Sequence, residues 1–133
     1  MRIFPPTKIF LSESPIHGYG IFANSFIKKD ELIEECPILD LKVPKGERCD
    51  ILSDYRFNWP FGRSDWDKQV VAWGWGSLYN HSENPNASWR SNHERNTFEF
   101  YALREIRPFE EIFIFYGGSE YWADGRTHVN VIQ

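Results

Sequence analysis

The stretch NHSENPN, residues 80–86, places an amide, an imidazole and a hydroxyl in direct succession after an aromatic residue, Tyr79. Asn84, Pro85 and Asn86 are common turn formers, so turn formation explains the second half of the stretch. It does not explain why Asn80 and His81 stand side by side. Two explanations are open from this stretch alone: a buried polar pair that stabilises the turn, or a loop that binds a ligand.

Two other segments carry groups suited to binding or chemistry. GYGIFA, residues 18–23, holds a pair of glycines, which by themselves predict a hairpin turn but also permit close approach of the backbone to a ligand. EEIFIFYG, residues 110–117, ends a strand-like run with Tyr116. The function of all three segments depends on whether the fold brings them together.

Composition narrows the class of protein. The chain has 133 residues, enough for one domain, and 41% hydrophobic with 17% aromatic residues, which predicts a folded core. The net charge of −4 argues against nucleic acid, whose phosphates favour a basic face, and would suit a cationic substrate.

Metal, disulfide and membrane signals are weak. Cys36 and Cys49 form no CxxC pair, and the four histidines lack the short spacings of a metal site. We expect neither a metal nor a disulfide, which favours a reducing cytoplasm. The start of the chain, MRIFPPTKIF, contains neither a signal peptide nor a membrane span, so we expect no membrane partner.

Strand patterns dominate the chain and predict a mainly β domain. Pro37 is expected to interrupt its strand or to place it at a sheet edge, because proline cannot donate to a ladder. KQVVAWGWG, residues 68–76, is expected to hold one helical turn. The predicted strands are Lys8–Ser14, Tyr19–Phe26, Glu31–Leu41, Thr97–Ile106 and Glu110–Gly117.

In their order and spacing, the segments GYGIFA (18–23), NHSENPN (80–86) and EEIFIFYG (110–117) resemble those of the SET domain, a family of S-adenosylmethionine-dependent lysine methyltransferases. The resemblance implies a single domain, residues 1–133, with a core of about 8–122 and a short tail, 123–133. Its fold would be a β-clip of several small sheets, with a knot-like crossing of the Asn80 segment by the Tyr116 segment. Length and spacing are similar to those of minimal SET proteins from viruses and bacteria.

The resemblance also assigns roles to residues. In the family the backbone of the Asn-His pair holds the adenine, and the Asn side chain meets the amino-acid end of the cofactor. Tyr116 would be the catalytic tyrosine, in an electrostatic role, because an unperturbed phenol with a pKa of about 10 is a poor base at neutral pH. Tyr55 would assist it. The implied S-adenosylmethionine-binding residues are Gly18, Tyr19, Gly20, Asn80, His81, Tyr116 and Trp122.

The acceptor amine must arrive uncharged, and a narrow apolar channel would favour that form by desolvation. Many relatives have a Tyr-x-Gly-Glu motif where this chain has residues 35–38, ECPI, so one expected channel tyrosine is missing. The side chain of Ile114 would leave room for higher methylation. Tyr121 and Trp122 would close the channel or contact a second subunit in a homodimer. The implied channel residues are Tyr19, Tyr55, Tyr79, Ile114 and Tyr121.

Four functions are therefore open. The first is methylation of a protein lysine, and the second is N-methylation of a free polyamine. A methyl-ammonium reader with an aromatic cage and a non-catalytic scaffold are the others. A reader would have no use for the three-part cofactor signature. The expected location is the cytoplasm, or the interior of a host cell if the protein is viral.

Overall fold

The computed structural model describes residues 1–44, 55–59 and 68–116. Within these ranges the chain is built mainly from strands, with a 3-10 turn at Gly76–Leu78, which confirms the predicted mainly β class of several small sheets. The strands are β1 (Ile9–Glu13), β2 (Tyr19–Ala23), β3 (Leu32–Pro44), β4 (Arg56–Trp59), β5 (Lys68–Ala72), β6 (Asn80–His81), β7 (Ala87–Asn92), β8 (Thr97–Ala102) and β9 (Glu111–Ile114).

The first sheet carries the segments identified in the sequence. Its strand order is β1-β2-β9-β6, so the GYG segment, the EEI segment and the Asn-His pair are neighbours. β1 and β2 form a hairpin, and β9 pairs antiparallel with β2, with Ile21 opposite Ile112. β6 pairs with β9 in parallel, Asn80 opposite Phe113 and His81 opposite Ile114. The Asn80 and Tyr116 segments therefore lie against each other, and the knot-like crossing stays a prediction.

The second sheet has the order β4-β5-β3-β8-β7 and supplies most of the core. β3 is its central strand, and it runs through Pro37 without a break, so the prediction that Pro37 interrupts the strand or marks an edge is wrong. The reason is a change of partner. Pairing with β8 ends at Pro37 opposite Thr97, and pairing with β5 begins at Ile38 opposite Ala72.

The segment KQVVAWGWG was expected to contain a helical turn, but residues 68–72 form β5. β-branched Val70 and Val71 favour the strand, and the 3-10 turn begins at Gly76, after the segment's first glycine. The strand β7 was not predicted at all, because the polar sequence ASWRSN gives only a weak alternation.

The core lies between the two sheets. Its aromatic part is formed by Phe98 and Phe100 of β8, both completely buried, with Phe57 packed edge-on against both rings. Isoleucines from the first sheet, among them Ile21 and Ile112, are also completely buried. Because side chains from both sheets are buried together, the first sheet is held in a fixed position relative to the second. The GYG, Asn80-His81 and EEI segments, which lie in the first sheet, are held with it.

Candidate functional site

The Asn80 side chain joins three parts of the chain. Its amide nitrogen donates to the main-chain carbonyls of His17 at 3.0 Å and Tyr19 at 3.2 Å, and to the Glu111 carboxylate at 2.8 Å. The residue is only 5% exposed. An amide NH₂ has two hydrogens, which these three acceptors share. The β1–β2 turn is thereby fastened to β6 and β9, and the amide nitrogen of Asn80 is committed to protein acceptors.

Glu111 belongs to the site, although the sequence reasoning assigned it no role. Its carboxylate accepts the Ser14 hydroxyl, with distances of 2.8 and 3.0 Å to its two oxygens, as well as the Asn80 amide. It lies directly over Gly20, where an added Cβ would overlap the carboxylate and come within 3.1 Å of the Asn80 amide nitrogen. The second glutamate of the Glu-Glu-Ile motif was the available signal, since a glycine opposite a carboxylate indicates a close approach.

The turn before β2 has an open side. Gly18 adopts a φ of +47°, and a Cβ at this position would meet no atom within 4 Å. Next to it, Nδ1 of His17 is buried and has no hydrogen-bond partner among the described residues. Buried polar atoms are nearly always paired, so this atom marks a place where a polar ligand would be stabilised.

His81 holds Tyr116 in place. Its Nδ1 accepts the main-chain N–H of Tyr116 at 3.0 Å, and the two rings lie 5.2 Å apart. A nitrogen that accepts carries no proton, so the hydrogen of a neutral His81 is on Nε2, which faces Glu83 at 3.4 Å. The Tyr116 hydroxyl donates to the main-chain carbonyl of Tyr79 at 2.7 Å. Tyr116 is thus fixed at both its backbone and its hydroxyl.

Asn86, the last residue of the NHSENPN motif, makes side-chain hydrogen bonds to the main chain of β9, as a neighbouring strand would. It is 2% exposed, and its side chain accepts the Phe113 N–H at 2.8 Å and donates to the Glu111 carbonyl at 2.9 Å. Asn80, His81 and Asn86 therefore all hold the β9 segment. In this way the polar residues of the motif fasten β9 as well as the turn before β2.

The structure brings the turn of Gly18, Tyr19 and Gly20 next to Asn80, and it places His81 next to Tyr116. The Tyr19 side chain is 59% exposed beside this cluster, and its carbonyl is one of the Asn80 acceptors. Whether each residue contacts a cofactor stays a prediction.

The proposed channel residues divide into different environments. Tyr55 is 40% exposed. Its carbonyl accepts at 3.1 Å the hydroxyl of Ser77, which lies three residues before Asn80. Ile114 is 1% exposed and packs in the core. Tyr79 is also 1% exposed, with its ring stacked 4.6 Å from Phe100 and its hydroxyl bonded to Glu34. A channel role for its side chain stays a prediction. Tyr121 and Trp122 lie outside the described residues.

Residues 1–44, 55–59 and 68–116 contain no group of three or more His, Cys, Asp or Glu side chains placed to hold a metal ion. Over the same residues there is no helix with the length and apolar character needed to cross a membrane.

The described residues of the chain form two sheets, and the first of them contains the parallel β6–β9 pair. Hydrogen bonds there join the Gly18–Gly20 turn to Asn80, and His81 to Tyr116. Residues 18–117 match the family model for the SET domain. The chain therefore belongs to the SET domain family, and it is an S-adenosylmethionine-dependent methyltransferase.

Relatives of known identity agree with this assignment. A Schizosaccharomyces pombe protein named as a histone-lysine N-methyltransferase specific for H3 lysine-37 is 34% identical over 119 residues, covering 87% of this chain and 78% of the relative. A crystal structure of a Plasmodium falciparum protein, described as a candidate histone methyltransferase, has a TM-score of 0.69 and 32% identity. It covers 87% of this chain and 98% of the solved one. Both come from eukaryotes, so the viral or bacterial type stays a prediction.

Proposed function

We propose that this protein transfers methyl groups from S-adenosylmethionine to the side-chain amine of a protein lysine, with a histone tail as the substrate class. The observation that carries the proposal is the fastening of the Gly18–Gly20 turn, the Asn80-His81 pair and Tyr116 into one cluster. The names of the two relatives support the choice of a histone lysine over other amines.

The residues at the β1–β2 turn fit S-adenosylmethionine. The cofactor carries an amino and a carboxylate group, and the buried Nδ1 of His17, which has no hydrogen-bond partner in the part of the chain that the structure describes, lies beside the open face of Gly18. A polar ligand would supply the partner that this nitrogen lacks. We propose that Gly18, Gly20, Asn80 and His81 hold the cofactor, which when bound supplies an electrophilic methyl group on a sulfonium.

Tyr116 would act by electrostatics and position. Because its hydroxyl hydrogen is donated to the Tyr79 carbonyl, the orientation of the phenol is fixed and its lone pairs point away from that carbonyl. Lone pairs in a fixed position stabilise positive charge as it passes from the sulfonium to the amine nitrogen. In-line displacement needs no covalent intermediate, so alignment of the two reactants is the main contribution of the protein.

The experiment that tests the proposal measures transfer of label from methyl-tritiated S-adenosylmethionine to core histones, to the same histones with chemically blocked lysines, and to spermidine. We expect label in the unblocked histones alone. Incorporation into spermidine with none into protein would replace the lysine proposal by the polyamine function. Absence of transfer to any amine, with the cofactor bound, would support a non-catalytic scaffold.

A further inference from the structure

A buried carboxylate on β3, Glu34, lies outside the cluster that the family signature describes. It is 3% exposed, and its two oxygens accept different donors: the Tyr79 hydroxyl at 2.7 Å and the main-chain N–H of Trp75 at 2.9 Å. Glu34 therefore holds both ends of the short segment 75–79, which contains the 3-10 turn and leads into Asn80.

The segment is shaped to reach this carboxylate. Gly74 adopts a φ of +69°, and a Cβ there would lie 2.5 Å from Glu34 Oε2, so only glycine allows the chain to pass so closely. At the other end, the Tyr79 ring stacks on Phe100 of β8 in the second sheet. The side chain of Tyr79 is thus fixed by a ring contact and by a hydrogen bond.

The main chain of Tyr79 contacts the site. Its carbonyl oxygen accepts the Tyr116 hydroxyl at 2.7 Å. A connected path runs from the Glu34 carboxylate through the Tyr79 hydroxyl, and then through the backbone of the same residue, to the hydroxyl of Tyr116. We propose that Glu34 and Tyr79 are positioning residues that set the orientation of the Tyr116 hydroxyl; this inference rests on the role proposed for Tyr116.

The cost of burying Glu34 supports this reading. Burial raises the pKa of its carboxyl, against the smaller lowering effects of the Tyr79 and Trp75 hydrogen bonds. Replacing both partners of a buried hydrogen-bonded pair by apolar groups of the same shape can be nearly neutral, so stability alone gives little reason to keep the Glu34–Tyr79 pair there. Fixing a hydroxyl beside a reacting centre gives such a reason, because small displacements there slow the reaction strongly.

The test uses a matched pair of variants in the full chain. Tyr79→Phe keeps the ring and removes the hydroxyl that donates to Glu34. Thr97→Val is the control, because the Thr97 hydroxyl is also completely buried and donates at 2.6 Å to the neighbouring glutamate, Glu35. Glu34→Gln is a second variant that disturbs the same contact from the other side.

The direct readout is the resonance of the Tyr116 hydroxyl-bearing carbon in protein labelled with [ζ-¹³C]tyrosine. Six tyrosines give at most six signals, and Tyr116→Phe identifies the relevant one. We expect Tyr79→Phe and Glu34→Gln to move this signal and Thr97→Val to leave it in place. In methyl transfer, we expect kcat to fall by between about 10- and 100-fold in the first two variants, with the cofactor Kd unchanged.

The outcomes separate the two proposals. A Tyr116 signal that stays in place in Tyr79→Phe, or that moves equally in Thr97→Val, would overturn the positioning role. An unchanged kcat in Tyr79→Phe would do the same. Full activity of Tyr116→Phe would instead remove the catalytic role proposed for Tyr116, while the resonance still decides whether Glu34 and Tyr79 orient its hydroxyl.

Discussion

At the scale of single residues, the site depends on hydrogen bonds that commit each polar group to a definite partner. The Asn80 amide serves the turn before β2 and Glu111, while the His81 ring serves Tyr116. These are contacts within the protein. Their effect is to place main-chain atoms and the Tyr116 hydroxyl, so a substitution at one residue acts on the shape of the whole cluster.

Tyr116→Phe removes the hydroxyl that donates to the Tyr79 carbonyl and leaves the backbone bond to His81 in place. We expect kcat to fall on the order of 10²-fold, the typical effect of losing one electrostatic contact at a reacting centre. Cofactor affinity, measured by calorimetry, should stay close to that of the wild type. Phe26→Leu serves as the control, because Phe26 is an exposed aromatic residue outside this segment. Unchanged turnover in Tyr116→Phe would contradict the assignment.

Asn80→Ala removes the donor to His17, Tyr19 and Glu111. Losing hydrogen bonds of about 1 kcal/mol each should weaken cofactor binding by roughly tenfold, because the turn is released from β6. Calorimetric titration measures the change. Asn84→Ala, at an exposed position of the same motif, is the matched control. Native affinity in Asn80→Ala would count against the proposed cofactor loop.

At the scale of elements, β9 is the strand on which the site depends. It pairs with β2 on one side and with the two-residue β6 on the other, and Asn86 adds hydrogen bonds to the main chain of Glu111 and Phe113. Because Gly20 has no side chain, β2 approaches β9 closely and the Glu111 carboxylate lies against Gly20. The first sheet is therefore held by side chains as well as by its ladders.

Asn86→Ala should release this strand. The substitution leaves the Phe113 N–H and the Glu111 carbonyl without their buried partner, and we expect a loss of roughly 2–4 kcal/mol in the free energy of unfolding. Denaturant unfolding measures it. Asn24→Ala is a suitable control, because the Asn24 side chain donates to the Thr7 carbonyl at an exposed position. Equal losses in the two variants would show that Asn86 has no special role at β9.

Gly20→Ala tests the contact between β2 and Glu111. The new methyl group would collide with the carboxylate, and we expect the free energy of unfolding to fall by roughly 1–3 kcal/mol. In a Glu111→Ala background the same substitution should cost less, because the obstructing side chain is gone. Chemical denaturation of the four proteins in this cycle gives the coupling. An equal cost in both backgrounds would mean that Glu111 is not the obstacle.

At the scale of the whole molecule, its glutamates respond to pH in opposite ways. Arg95 holds the pKa of Glu35 below its ordinary value, chiefly through its hydrogen bond, and Arg90 does the same for Glu99. Burial raises the pKa of Glu34. Stability from Glu35 is present above the ordinary pKa of about 4.3 and is lost as the pH falls through its lowered folded pKa. The contribution of Glu34 is present below that value and is lost as the pH rises through its raised one.

Two variants should therefore tilt the pH profile of stability in opposite directions. Relative to wild type, Glu35→Gln should become less destabilised as the pH falls below about 4.3, because the wild type loses its ion pair there. Glu34→Gln should become relatively more stable as the pH rises above that value. Thermal unfolding between acid and neutral pH measures both, with exposed Glu105→Gln as the control. Parallel profiles for all four proteins would contradict these pKa directions.

Several strands and one motif of the site were predictable from the sequence, because they depend on patterns of neighbouring residues. Alternating apolar residues indicated β1, β2, β8 and β9, and the NHSENPN motif pointed to the segment that meets Tyr116. Glu34, Glu111 and Asn86 were missed as contributors to the site, because their partners are 25 to 97 residues distant and only the folded chain brings them together. Pro37 was misread for a similar reason, since its place between two ladders depends on tertiary pairing.

The central claim is that the Gly18–Gly20 turn, the Asn80-His81 pair and Tyr116 present the methyl group of S-adenosylmethionine to an amine. The most direct measurement is the nuclear Overhauser effect between the ¹³C-labelled methyl of the bound cofactor and the protein, with the Tyr116 ring signals assigned through Tyr116→Phe. We predict cross-peaks to the ring protons of Tyr116. Cross-peaks confined to aromatic residues of the second sheet, such as Trp89 or Phe57, would contradict the account.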